Sequence, residues 1–174
     1  MESAARRESP RTFKKKKRIT LGTQGGRKEM RIVVAAVIER SDRRLLIGQR
    51  RKEDTSPLKW EFPGGKVRNG ESPEAALARE LNEELGATMK KNVPIGSVVH
   101  KYADTPEELK ILFYAVEIQG LEVVPSTFEK IVWVLPRELG QYDFLAANTE
   151  LIANLATGKI KPGEILAESG SPAR

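Results

Sequence analysis

The sequence of 174 residues predicts an α/β fold: an α/β/α sandwich around a mixed β-sheet, behind a disordered basic N-terminal tail. Three observations predict it. Ile32 to Ile38 is an unbroken apolar, β-branched run, the pattern of a strand covered on both faces. Ser72 to Gly86 carries the start and stop signals of a helix around an apolar stripe. Charge is segregated: residues 1–29 hold ten Lys/Arg against three Asp/Glu, a net +7, which leaves −1 for the rest of a chain whose total is +6. The pI of 9.6 therefore belongs to the tail, and the remainder is close to neutral.

Residues 1–29 show no hydrophobic periodicity and include Lys14 to Arg18, a run that buries too little apolar surface to order itself. The segment reads first as a solvated tail, or as residues upstream of a true start at Met30. Sharper readings are nucleic-acid contact, a nuclear signal or a transit peptide. An apolar core typical of a secretory signal is absent, and a cytoplasmic location is expected. Arg40 to Arg43 is a turn, and a second strand begins at Leu45-Leu46-Ile47. Asp54 to Leu58 is a polar loop. Two glycines in Trp60 to Val67 permit close backbone approach to a ligand.

The next helix is the strongest local prediction. Ser72 supplies an N-cap, Pro73 suits the first helical position, Glu74 favours the helix dipole, and Gly86 provides a left-handed stop. Leu77, Leu81 and Leu85 recur at i+4 and face a core. Beyond it, Val98 to His100, Ile111 to Val116 and Ile131 to Leu135 read as strands, with an acidic turn at Asp104 to Glu108 and Pro136 ending the last. A final helix spans about Ala146 to Leu155, with Leu151, Ile152 and Leu155 inward and Gly158 as its stop. This gives a folded domain over 30–160 and a frayed, flexible tail over 161–174.

Composition narrows the chemistry. No apolar run approaches a membrane span. The absence of Cys excludes disulfides, thiolate metal sites and Cys nucleophiles, and a single His (His100) excludes a His-rich zinc site. His100 itself reads as a strand residue. Any metal must be held mainly by oxygen. Glu80, Glu83 and Glu84 stand at i, i+3 and i+4, so three carboxylates share one helical face, and no basic residue falls between Glu80 and Gly86. That face is either a solvated surface or a site for a hard divalent cation.

The wider frame is G-x5-E-x7-R-E-apolar-x-E-E-x-G-apolar, met by Gly65, Glu71, Arg79, Glu80, Leu81, Glu83, Glu84, Gly86 and Ala87. A chance match is on the order of 10⁻⁷ over the chain at ordinary residue frequencies. The chain resembles the Nudix hydrolases, and the run Glu61 to Lys66 is similar to the MutT branch, which hydrolyses damaged or surplus nucleoside triphosphates. The resemblance covers about Met30 to Leu155. It implies hydrolysis of a nucleoside triphosphate to the monophosphate and pyrophosphate with Mg²⁺, Mn²⁺ being a possible substitute. Such ions neutralise phosphate oxygens, acidify a water and align it for in-line displacement.

Carried over by position, the resemblance implies that Glu83 and Glu84 hold the metal with the carbonyl of Gly64. Glu80 is a further ligand or the general base. Arg79 orients carboxylates such as Glu71, or is an ordinary helix-surface Arg. Arg50 lies eleven residues before Glu61 and matches a phosphate-contacting Arg, or it is a solvated edge Arg; Lys66 is a weaker case of the same kind. Asp143 to Asn148 resembles the stretch that presents an Asn to 8-oxoguanine. Asn148 thus reads either as a base-reading amide, with the Phe62 backbone beside the same base, or as a helix N-cap.

Two departures stand out. The resemblance implies a metal-binding Glu six residues before the late Trp, but Thr127 is there ahead of Trp133; a small gap brings the nearest acid, Glu129, into place as that metal ligand, and otherwise one ligand is missing. An Arg that helps bind the base is replaced in the Glu107–Glu108 turn. The substrate expectation is 8-oxo-dGTP, with cytidine nucleotides or other nucleoside diphosphate derivatives as the alternative. A non-catalytic nucleotide- or nucleic-acid-binding module is the reading from a different class.

Overall fold

The computed structural model describes residues 30–102, 108–122 and 127–170. The basic tail, most of the acidic Asp104–Glu108 turn and residues 171–174 lie outside them. The strands are β1 (Met30–Ile38), β2 (Leu45–Gln49), β3 (Trp60–Glu61), β4 (Gly64–Lys66), β5 (Thr88–His100), β6 (Glu108–Gln119) and β7 (Lys130–Val134). The α-helices are α1 (Pro73–Leu85), α2 (Thr149–Ala156) and α3 (Pro162–Glu168), with 3₁₀ turns at Pro136–Gln141 and Ala146–Asn148.

The strands form two sheets. One is mixed, in the order β4-β1-β6-β5, with β1 parallel to β6 and the other pairs antiparallel. The second is antiparallel, in the order β3-β2-β7. β1 shows why its sequence is apolar throughout. Val34, Ala36 and Ile38 pack with Leu77, Leu81 and Leu85 of α1, while Ala35 and Val37 pack with Leu151 and Leu155 of α2. Period-two alternation sends successive side chains to opposite faces, so a strand between two helical layers needs apolar residues at every position. The mixed sheet and its helices on both faces are the predicted α/β sandwich. Among the described residues, no helix is long and apolar enough to cross a membrane.

Three expectations are corrected. The strand predicted at Val98–His100 begins ten residues earlier, at Thr88. Lys90, Lys91, Asn92 and Pro94 hide it from a hydrophobic pattern. It is the outer strand of its sheet, where Pro94 is tolerated, and register shifts at Met89/Lys91 and Pro94/Gly96 absorb the irregularity. The last helix starts at Thr149, because residues 146–148 form a tighter turn before it. The segment expected to fray after Pro162 is instead α3, with Pro162 and Leu166 buried. The Gly163 amide donates to the partly buried Glu39 carboxylate (3.2 Å), and the Lys91 ammonium reaches the Leu166 carbonyl.

Candidate active site

α1 begins and ends as its sequence dictates. The Ser72 hydroxyl accepts the Ala75 amide at 3.1 Å, Pro73 follows, and Gly86 turns left-handed at φ 57°. Leu77, Leu81 and Leu85 are fully buried. The apolar stripe thereby fixes the opposite, acidic face against β4. Two glycines make that approach possible. A Cβ on Gly64, which has φ +149°, would lie 2.1 Å from the Val34 carbonyl oxygen. One on Gly65 would lie 2.4 Å from the Glu80 carboxyl carbon. Glu80 therefore rests in a hollow that only glycine leaves open.

Glu84 comes in beside it, accepting the Gly64 amide at 2.9 Å. Burial pushes the Glu84 carboxyl up to about 8; the Gly64 amide opposes the shift, and the charges of Glu61, Glu80 and Glu83 add to it. Arg79 binds the remaining carboxylates. Its Nε and Nη2 donate to the two Glu71 oxygens (2.8 and 2.9 Å), and Nη1 donates to Glu80 (2.7 Å) and Glu83 (3.2 Å). Nη2 also donates to the Lys66 carbonyl at 3.1 Å, so all five N–H groups of the guanidinium are used. The Arg79 contact, with help from the Arg68 amide, holds the Glu71 carboxyl down at about 2. Arg79 thus relieves much of the like-charge repulsion that the spacing of Glu80, Glu83 and Glu84 creates.

β3 places a second set of groups nearby. Glu61 is half-buried and pairs through both oxygens with Arg50 Nη1 (3.0 and 2.9 Å), while Arg50 also donates to the Thr55 carbonyl and hydroxyl. Burial raises the Glu61 carboxyl against the pull of Arg50. On the other side of the pleat, Trp60 and Phe62 join an apolar cluster with Phe144, Tyr142 and Tyr102. The Phe62 and Phe144 rings are 5.6 Å apart, and Trp60 meets Tyr142 edge-on at 4.9 Å. The Leu145 amide donates to the Trp60 carbonyl (3.0 Å), which ties the turn carrying Asn148 to β3.

Asn148 is the one buried polar residue among those described, 5% exposed. It stands at the start of α2, yet its side chain makes no capping bond. Lys66 is exposed, and its ammonium makes no ion pair among the described residues. Glu129 pairs with Lys52 at 3.8 Å, and its amide donates to the Gln49 carbonyl, so its contacts lead to the β2 end rather than to α1. Glu61, Arg68 and Phe144 join the neighbourhood without having been singled out from sequence. The alternation of Trp60, Glu61 and Phe62 was the available signal for Glu61.

As they stand, no three acidic or imidazole groups among the described residues converge closely enough to hold an ion. Glu80 and Glu83 are turned toward Arg79, and Glu84 toward Gly64. The donor set nevertheless fits a hard divalent cation. It is all carboxylate oxygen, Glu80 lies in the Gly65 hollow, and the mutual repulsion felt by Glu84 is the field a cation would relieve.

This arrangement of acidic helix and glycine-lined strand is accompanied by direct similarity. Residues 29–155 match the NUDIX domain model, and the chain belongs to the Nudix family. It is a pyrophosphohydrolase of that family. The chain is 36% identical over 141 residues to the CTP pyrophosphohydrolase of Escherichia coli K12, covering 76% of this chain and 96% of the relative. It is 30% identical over 128 residues to the 8-oxo-dGTP diphosphatase of the same organism, covering 74% and 97%. The MutT NUDIX hydrolase from Burkholderia pseudomallei superposes with a TM-score of 0.64 at 30% identity, covering 72% of this chain and 97% of that one.

Proposed function

We propose that the protein hydrolyses a nucleoside triphosphate, 8-oxo-dGTP above others, to the monophosphate and pyrophosphate with Mg²⁺ bound at Glu80, Glu83, Glu84 and the Gly64 carbonyl. The observation that carries the base preference is Asn148, an amide buried at 5% exposure with no capping bond, on a turn tied to β3. A buried amide left out of its local cap is available to a purine edge, to which it offers both donor and acceptor. Phe62 and Phe144 supply an apolar wall for the base.

The chain's own groups then divide the work. Arg50 offers a planar fork to a phosphate once it leaves Glu61, and Lys66 offers a point charge. Arg79 and Glu71 hold the glutamates in position. Bound Mg²⁺ would neutralise the phosphate oxygens and acidify the attacking water. Glu80 takes that water's proton as the new P–O bond forms and the bond to pyrophosphate breaks. Cytidine nucleotides are the second reading, favoured by the 36% identity to a CTP pyrophosphohydrolase. A panel of 8-oxo-dGTP, dGTP, dCTP and dATP with Mg²⁺ separates the two by kcat/KM. Asn148→Ala should lower kcat/KM for 8-oxo-dGTP by about 10-fold to 100-fold and leave dCTP little changed. A panel led by dCTP, or an equal loss for all bases, would reject the purine reading.

A further inference from the structure

A polyphosphate lying along an acidic helix needs cations at its outer end, and the arginines best placed by sequence are already engaged. Arg79 has every N–H group occupied, and its side chain is 17% exposed. Arg50 is held by Glu61 and Thr55. Arg68 differs. Its side chain is 63% exposed, and among the described residues its one side-chain partner is Glu83, at 3.4 Å. That is well beyond the roughly 2.7–2.9 Å of a strong charge-assisted bond. Its backbone, by contrast, is anchored: the Arg68 amide donates to Glu71 at 2.9 Å, and Glu71 is clasped by Arg79. A fixed main chain carrying a loosely tethered guanidinium suits a group that changes partner on binding.

Its place along the site is the second observation. From the aromatic side, the chain passes Phe62, then Gly64 under Glu84, Gly65 under Glu80, and finally Arg68 against Glu83. Gly64 to Arg68 spans at most about 13 Å at strand rise, with the aromatic wall at one end and Arg68 at the other. We propose that Arg68 is a specificity-determining residue that exchanges Glu83 for the outermost phosphate of the substrate and retains the pyrophosphate product, favouring triphosphates over diphosphates. This rests on the triphosphate reading above. A phosphate dianion competes with Glu83 because it offers the fork two oxygens in good geometry.

The test uses the full chain, wild type against Arg68→Ala and Arg68→Lys. dGTP and dGDP are the substrates with Mg²⁺, and inorganic pyrophosphate is the inhibitor. Arg68→Ala should raise the KM for dGTP and the inhibition constant of pyrophosphate about tenfold, the loss of one charged contact. Its kcat, its KM for dGDP and its melting temperature should stay close to wild type, because the side chain is exposed. Arg68→Lys should fall between, since an ammonium makes a single-point contact. Equal changes for dGTP and dGDP would mean that Arg68 acts only through Glu83 and would overturn the inference, as would an unchanged pyrophosphate inhibition. A wild-type enzyme that fails to convert any triphosphate to monophosphate and pyrophosphate would remove the underlying reading, and the inference with it.

Discussion

Gly65→Ala separates the needs of the site from those of the fold. An added Cβ would stand 2.4 Å from the Glu80 carboxyl carbon and 2.4 Å from one of its oxygens. Ordinary contact begins near 3.4 Å, so the carboxylate must retreat by about 1 Å. It can do so cheaply, because it is the far end of a flexible side chain and Gly65 has no left-handed φ to lose. Stability should change by about 1 kcal/mol or less. Catalysis should not be so forgiving, since misplacing a reacting group by about 1 Å can cost ~10²-fold. Urea unfolding measures the first quantity, and pyrophosphate release under saturating Mg²⁺ measures the second. Gly64→Ala is the contrast: its Cβ meets the Val34 carbonyl at 2.1 Å with φ +149°, and it should destabilise the fold itself. A stable Gly65→Ala enzyme with wild-type kcat would refute the claim that the hollow positions Glu80.

Further expectations concern charge. Glu84 keeps its proton to about 8 when folded, against 4.5 for an ordinary carboxyl, so the metal-free folded state binds the extra proton between those values. Stability therefore falls as pH rises from about 4.5 to about 8, by less than ~1.4 kcal/mol per pH unit. Glu84→Gln should flatten that slope in urea melts run at pH 5, 7 and 9 with chelator, and a wild-type protein already flat over this window would contradict the assignment. Chelation should abolish turnover and added Mg²⁺ restore it. Glu83→Gln should lower kcat at least ~10²-fold with melting temperature nearly intact, because its side chain is 48% exposed; normal turnover by this variant would refute its role.

How much of this was legible in the sequence depends on where each element gets its stability. α1 carries its own caps and stripe, and β1 is apolar at every position, so both were readable. β5 is an outer strand interrupted by Lys90, Lys91 and Pro94, and its pairing with β6 rather than its pattern defines it. α3 is seven residues long and is held by distant partners, Glu39 through Gly163 and Lys91 through Leu166, which no local signal announces. The glutamates of the site were legible from spacing. Their relief by Arg79 was not, because a single guanidinium reaching Glu71, Glu80 and Glu83 at once is a tertiary fact.

That last point bears on how the site operates. If repulsion among three carboxylates alone demanded a cation, the face would be poorly ordered without one; Arg79 instead holds two of them and leaves Glu84 as the group whose charge is most costly. The extended stretch from β3 into Phe62 sorts its side chains by its pleat. Trp60 and Phe62 turn to the aromatic side with Phe144, whereas Glu61 turns toward Arg50 and adds its charge to the field at Glu84. Because successive residues of a strand point to opposite faces, the proposed base-reading and phosphate-binding groups occupy adjoining positions without sharing side chains. Changes at Phe144 or Asn148 should then move the ranking of bases at nearly constant dependence on Mg²⁺, and changes at Glu80 or Glu84 should do the reverse.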